Sequence, residues 1–269
     1  ASLCLRALIL LLLERCNSEE IGLNAARDTC GSGCTPLIGA SENGHKDARN
    51  YIGTTAFMMA FANGHKDVVQ LLLDNFKSIE LNARTHCKNA LTALMMACGR
   101  GHKAVVQLLL DNYKRIELNT RNNRGETAFM YACNNGRKDV VQLLLDHSKR
   151  IDLNARSNDG YTAFMLACQN GHKDVVQLLL DHPESNIELN TRDNDGWTAF
   201  MIACHYGHKD VVQLLLDHSD RDIDLNARDI HGNTAFMLAK LNEHNNVVKL
   251  LLDFVQSLLF SGKVNLILT

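Results

Sequence analysis

Histidine and cysteine are the residues whose spacing first suggests chemistry in this chain. His45, His65, His102, His172 and His208 recur along it, each directly after a glycine. A recurring histidine suggests metal binding. If each sits on its own helix pair, however, successive rings are separated by about 8–10 Å and cannot share one ion at bonds of about 2 Å. Local satisfaction of backbone groups is the expected role. Cys30 and Cys34, with His45, could hold a metal or close a disulfide, but no second cysteine pair follows, so neither is expected. There is no Gly-rich phosphate loop, nucleophile elbow or converging carboxylate pair; the acidic residues recur with the framework. The sequence therefore predicts no enzyme activity, no metal and no cofactor.

What positions these groups is a repeat. Thr-Ala-Phe-Met or a near relative begins at Thr55, Thr92, Thr127, Thr162, Thr198 and Thr234, with successive spacings of 37, 35, 35, 36 and 36 residues. A period of this size marks a supersecondary unit that cannot bury its apolar face alone and must stack on neighbours. In the unit from Thr162, the threonine hydroxyl is suited to cap a first helix running to about Asn170. Gly171 is suited to end it in the left-handed conformation. His172, Lys173 and Asp174 then open a second helix, where Asp174 favours the positive end. Val175, Val176, Leu178, Leu179 and Leu180 make that helix apolar on both flanks, so neighbouring units must sandwich it. Asp195-Gly196 is the turn of a projecting hairpin that leads into the next unit.

The run Thr162-Ala-Phe-Met-Leu-Ala-Cys-Gln-Asn-Gly-His-Lys-Asp-Val-Val-Gln-Leu-Leu-Leu-Asp181 resembles the ankyrin repeat, and the likeness spans almost the whole chain. The implied fold is an all-α repeat solenoid of ankyrin-type helix-turn-helix units, about six to seven of them, joined by projecting β-hairpin loops. Two departures stand out. Only Thr35-Pro36-Leu37 keeps the family's proline, and Met58, Met95, Met130, Met165, Met201 and Met237 replace its histidine; a thioether there is expected to pack, not to hydrogen-bond. The link after helix two, for example His147 to Ile151, is longer than the family's and is expected to be more mobile.

Residues 55–254 form the regular array. Residues 1–54 are irregular: a partial repeat, then a unit that passes from Asp47 straight to Ala48-Arg49 and so lacks its second helix. Residues 255–269 are a tail or the start of a further repeat. Neither end shows a clear polar cap, which fits a piece of a longer protein.

With 28 basic and 30 acidic residues the net charge is -2, so no global field draws the chain to nucleic acid or to an acidic membrane. The apolar stretch Ala7 to Leu13 is far shorter than the ~20 residues that span a bilayer. Cys98, Cys133, Cys168 and Cys204 recur at one core position among nine cysteines, which fits a reducing, cytoplasmic or nuclear compartment.

Helix two is nearly constant between units, whereas the hairpin tips and some helix-one positions vary. In ankyrin proteins those places line a concave groove, so the resemblance implies a scaffold, expected to be monomeric, that binds a protein partner there. The tip positions are Arg124, Glu126, Tyr161, Asn194, Trp197 and Asn233; the helix-one positions are Tyr131, Leu166, Ile202, His205 and Tyr206. Tyr and Trp bury large area at low rotamer cost, which places Trp197, the single tryptophan, first among them. Covering of a neighbouring repeat is the competing role for Trp197 and Tyr161. Asn82, Asn119, Asn154, Asn190 and Asn226 match the hairpin asparagine that can be hydroxylated in this family; turn capping is their plain structural role. The alternative to a scaffold is a spacer array from a larger multidomain protein whose activity lies elsewhere.

Overall fold

The computed structural model describes residues 56–75, 81–85, 88–112, 116–183, 186–218 and 223–260, in two compact units that divide between Asn123 and Arg124. The expectations for residues 1–54, including Cys30, Cys34, His45 and the unit without a second helix, and for residues 261–269 lie outside the described residues. The first unit contains helices α1 (Ala56–Ala62), α2 (Lys66–Asn75), α3 (Ala93–Arg100) and α4 (Lys103–Asn112). The second contains α5 (Ala128–Asn134), α6 (Lys138–Leu145), α7 (Ala163–Gln169), α8 (Lys173–Asp181), α9 (Ala199–His205), α10 (Lys209–Asp217), α11 (Ala235–Leu241) and α12 (Asn245–Phe260). In the second unit the first helices α5, α7, α9 and α11 pack successively on one another, and the second helices α6, α8, α10 and α12 form a parallel layer. This is the expected all-α solenoid of helix-turn-helix units. Among the described residues the hairpins carry no regular strand, only an isolated bridge between Arg84 and Thr92. No helix of the described residues is long and apolar enough to cross a membrane.

The first helix α7 is closed at its start by residues of its own motif and at its end by residues of its own and the next unit. The Thr162 hydroxyl accepts the Met165 N–H at 3.3 Å, and the Met165 thioether accepts the Thr162 N–H at 3.5 Å. The methionine that was expected only to pack therefore also takes up an otherwise orphan donor at the helix start. At the other end of α7, His172 N–H reaches the Ala167 carbonyl at 3.0 Å and Gly171 N–H the Cys168 carbonyl at 3.3 Å, the paired bonds of a Schellman ending. Asn170 serves the Leu166 carbonyl through its backbone N–H and its side-chain amide. The last carbonyl, Gln169, receives the imidazole of His208 from the next unit at 2.7 Å. All four terminal carbonyls thus have a donor, one of them supplied from outside the repeat.

That cross-repeat bond is the role of the histidine column. His102 reaches Ala62, His172 reaches Asn134 and His244 reaches His205, each by Nε2 to a carbonyl at 2.8–2.9 Å. The backbone groups are satisfied across the repeat boundary, not locally as the sequence suggests, and His244 joins the column although no glycine precedes it. Among the described residues no group of three potential ligands could hold a metal ion.

The core is the repeated apolar set, with Met95, Met130, Met165 and Met201 all at most 1% exposed. Cys98, Cys133, Cys168 and Cys204 are buried free thiols, and burial pushes the thiols of Cys98, Cys168 and Cys204 far up, so they stay protonated. The link after α6 forms a turn of 3-10 helix over Ser148–Arg150. Burial of Ile151 and Leu153 anchors a link that the sequence alone reads as mobile. The last unit differs: Lys240 occupies the position of the buried cysteines and is exposed. Met237 there is 36% exposed and Leu252 46%.

Candidate functional site

Successive hairpin tips are tied edge to edge. In the second unit Asn158 N–H donates to the Arg124 carbonyl at 2.9 Å, Asn194 N–H to Asp159 at 3.1 Å and Ile230 N–H to Asp195 at 3.1 Å. Side chains reinforce this ladder: Asn194 Nδ2 donates to the Asn158 carbonyl at 2.9 Å, and Arg156 donates to the Arg192 carbonyl at 2.7 Å. Asn154 and Asn190, two of the hairpin asparagines, accept the backbone N–H of Glu188 and Asp224 in the following unit. In the first unit Asn82 does the same for Glu117. Their role here is to bridge repeats, a longer reach than turn capping within one loop.

Two of the tips are each shaped by a buried acid, Asp193 or Asp229. Asp193 Oδ1 accepts the N–H of Asp195 at 3.0 Å and of Trp197 at 2.8 Å. Asp229 accepts the N–H of His231 and Asn233, the Asn233 amide at 2.9 Å, and the Trp197 indole N–H at 3.2 Å. Burial raises the Asp193 carboxyl above its ordinary value, partly offset by those backbone donors. For Asp229 burial also pushes upward, but the donors from Asn233, His231 and Trp197 outweigh it and hold the carboxyl below its ordinary value. Sequence reasoning missed both acids. Their signal is a carboxylate three residues before the turn glycine, the spacing of a side chain that accepts from its own turn.

An aromatic group lies over these tips. The Trp197 and His205 rings are 4.5 Å apart, His205 and Tyr206 meet edge to face at 4.9 Å, and Tyr206 stacks with His208 at 6.3 Å. Gln169 Nε2 donates to the Tyr206 hydroxyl at 3.0 Å. Tyr206 is exposed, whereas Trp197, His205 and Tyr161 are half-buried. Burial, with the charges of Asp193, the Tyr206 hydroxyl, Asp195 and Asp159, pushes the Tyr161 phenol up to about 12.

The other sequence-derived positions differ in exposure and in partners. Glu126 and Tyr131 pair with each other, hydroxyl to carboxylate at 3.1 Å. Leu166 is half-buried, Arg124 and Asn194 are exposed, and Asn233 is half-buried against Asp229. Ile202 is a correction. It has 0% exposure, so it packs within the repeats and presents nothing to a partner.

His205 Nδ1 accepts from the Asn242 amide at 3.0 Å. Burial and then the neighbouring His244 lower its pKa below the ordinary histidine value. With the imidazole next to the indole, protonation of His205 is expected to quench Trp197 fluorescence, with a midpoint below about 6.5. Because the folded value is the lower one, His205 contributes stability that is present above the unfolded value and lost as pH falls through the folded one. A fluorescence titration of the wild-type chain and His205→Gln checks this: the transition should vanish in the variant, and a midpoint at or above the ordinary value would contradict the burial argument.

No curated protein sequence matches the chain. A family model described as ankyrin repeats (three copies) matches residues 46–122, 114–193 and 185–258. The matched stretches run through both units and contain the capped first helices, the cross-repeat histidines and the tied tips, so the chain belongs to the ankyrin-repeat family.

Proposed function

We propose that the chain is a protein-interaction scaffold whose recognition face is made by the hairpin tips and first helices of its second unit. Tyr161, Trp197, His205 and Tyr206 form its centre, and Arg124, Glu126, Tyr131, Leu166, Asn194 and Asn233 flank it. The observation that supports this is the division of labour within each repeat. Caps, cross-repeat histidines and buried apolar positions recur unit after unit, whereas the aromatic residues gather at variable positions with accessible surface. Constancy follows from packing; an aromatic group half out in water does not.

The spacer reading has its own support in the indole N–H of Trp197, which is spent on Asp229 of the next tip. The two differ in what a double replacement does. Trp197→Ala with Tyr161→Ala is expected to abolish capture of protein partners from cell lysate while changing the thermal midpoint by only a few degrees, as for half-buried residues outside the core. Affinity capture paired with circular dichroism melting reads both. Capture that survives the replacement, or a collapse of the fold, favours the spacer.

A further inference from the structure

Resting on that recognition face, we infer that its occupant is a proline-rich segment of the partner in the polyproline II conformation, lying across Tyr161 and Trp197 with its carbonyl oxygens on donors of the face. Tyr161 and Trp197 hold the same position in successive units, each directly before the motif threonine. Their tips are tied to each other, Asn194 N–H to the Asp159 carbonyl at 3.1 Å. One repeat step therefore separates the two rings, and packed helices step by about 8–10 Å. A polyproline II segment has three residues per turn and rises about 3.1 Å per residue, so residues i and i+3 share a face about 9 Å apart. One turn of such a segment matches one step of the array, and prolines three apart meet the two rings in succession. An extended strand sets same-face side chains only about 7 Å apart and falls out of step.

The face offers hydrogen-bond donors that the repeats themselves do not use. The Tyr206 hydroxyl accepts from Gln169 Nε2, which leaves its own proton to give, and Tyr206 is 43% exposed. The Tyr161 hydroxyl has no hydrogen-bond partner among the described residues. It lies close enough to Tyr206 that the second phenol opposes its ionisation. His205 adds a third donor. The Asn242 amide nitrogen donates both to the Leu238 carbonyl and to His205 Nδ1, so the neutral imidazole carries its proton on Nε2. The Trp197 indole N–H goes to Asp229, and what this residue brings is its ring. Half-buried rings beside unused donors suit a segment that has no internal hydrogen bonds: its proline rings pack on aromatic faces while its carbonyls take the donors.

Other occupants fit less well. An α-helix keeps its carbonyls within its own ladder and has no use for the donors. A strand brings an N–H with each carbonyl and would need acceptors as well, whereas proline has no N–H to satisfy. An anionic acceptor would add negative charge at the Tyr161 hydroxyl, where Asp193, Asp195 and Asp159 already act against it. The neighbouring tips carry Glu126 and Asn233 at the position of the two rings, so the aromatic track is two units long and takes a single step of two prolines separated by two residues. Rigidity helps too: a Cβ on Gly160 would come within 2.9 Å of Asn194 and Arg156, so the tip that carries Tyr161 has little room to deform and is pre-organised for binding.

Trp197, the only tryptophan, supplies the readout. Capped nona-proline is titrated into the full chain and indole emission is followed, with a capped Gly-Ser peptide of equal length and capped tetra-glutamate as comparison probes. A saturable change with nona-proline alone is expected, weakened about tenfold in the Tyr161→Phe, Tyr206→Phe double variant, which keeps the rings and removes two donors. Gln177→Ala with Gln213→Ala, on α8 and α10, should leave the affinity unchanged, and circular dichroism melting verifies that both double variants fold. No saturable change up to about 1 mM, an equal response to the Gly-Ser peptide or to tetra-glutamate, or equal weakening by both pairs of substitutions overturns the inference. If nona-proline fails while protein capture still depends on Trp197 and Tyr161, the interaction face stands and its proline-rich occupant falls. If capture fails while nona-proline binds as described, the proline site stands without the partner reading.

Discussion

Gly171→Ala is expected to destabilise the chain by about 2–4 kcal/mol, a large effect for one added methyl group. Two costs combine. Gly171 has φ +69°, a left-handed conformation that costs an L-residue about 1–2 kcal/mol. The new Cβ would also lie 2.6 Å from His208 Nδ1, so the imidazole must move away from the Gln169 carbonyl that it serves at 2.7 Å. The second cost can be isolated. Gly232 has φ +80° with nothing within 4 Å of its added Cβ, so Gly232→Ala should cost only the backbone part, about 1–2 kcal/mol. In a His208→Ala background the Gly171→Ala penalty should shrink to the same level, and urea unfolding of the four members of that cycle measures the coupling. A Gly171→Ala penalty no larger than that of Gly232→Ala would show that the imidazole yields freely, and that the histidine column contributes little to stacking.

This coupling also marks where sequence reasoning stopped. The Thr-Ala-Phe-Met start, the Gly171 stop and the apolar run of helix two are local signals with local causes, and the structure forms the helices they announce. The histidine after the glycine looks equally local. The partner of His208, however, lies 39 residues back, at the end of the preceding first helix, and no pattern within one repeat names a partner in another. The same holds for Asn154 and Asn190, which clamp the next loop, and for Asp229, which accepts the Trp197 indole. Ile202 shows the opposite error. It varies between repeats like a surface position, yet it is fully buried, because helix-one positions beside the tip can be filled from either neighbour and variability alone does not separate packing from exposure. Tyr161, Trp197, His205 and Tyr206 were legible as aromatics at variable places; the acids beneath and beside them were not, since an Asp in a turn is ordinary until its burial is known.

Met201→Ala and Met237→Ala, the same change at the same repeat position, should differ several-fold in effect. Met201 is 0% exposed at the start of α9, between first helices on either side. Removing its thioether should leave a cavity and cost about 2–5 kcal/mol. Met237 opens α11, which is followed by no further unit among the described residues, and it is 36% exposed. Its loss should cost about 1 kcal/mol or less, because solvent fills the space that neighbouring atoms fill around Met201. Lys240 fits this contrast: where the four preceding units each bury a cysteine, this one carries an ammonium that another packed repeat would have to desolvate. Denaturant melts of the two variants decide the point. Equal losses would mean that Met237 is covered in solution, by a second copy or by chain beyond residue 260, and that Lys240 lies at the rim of that contact.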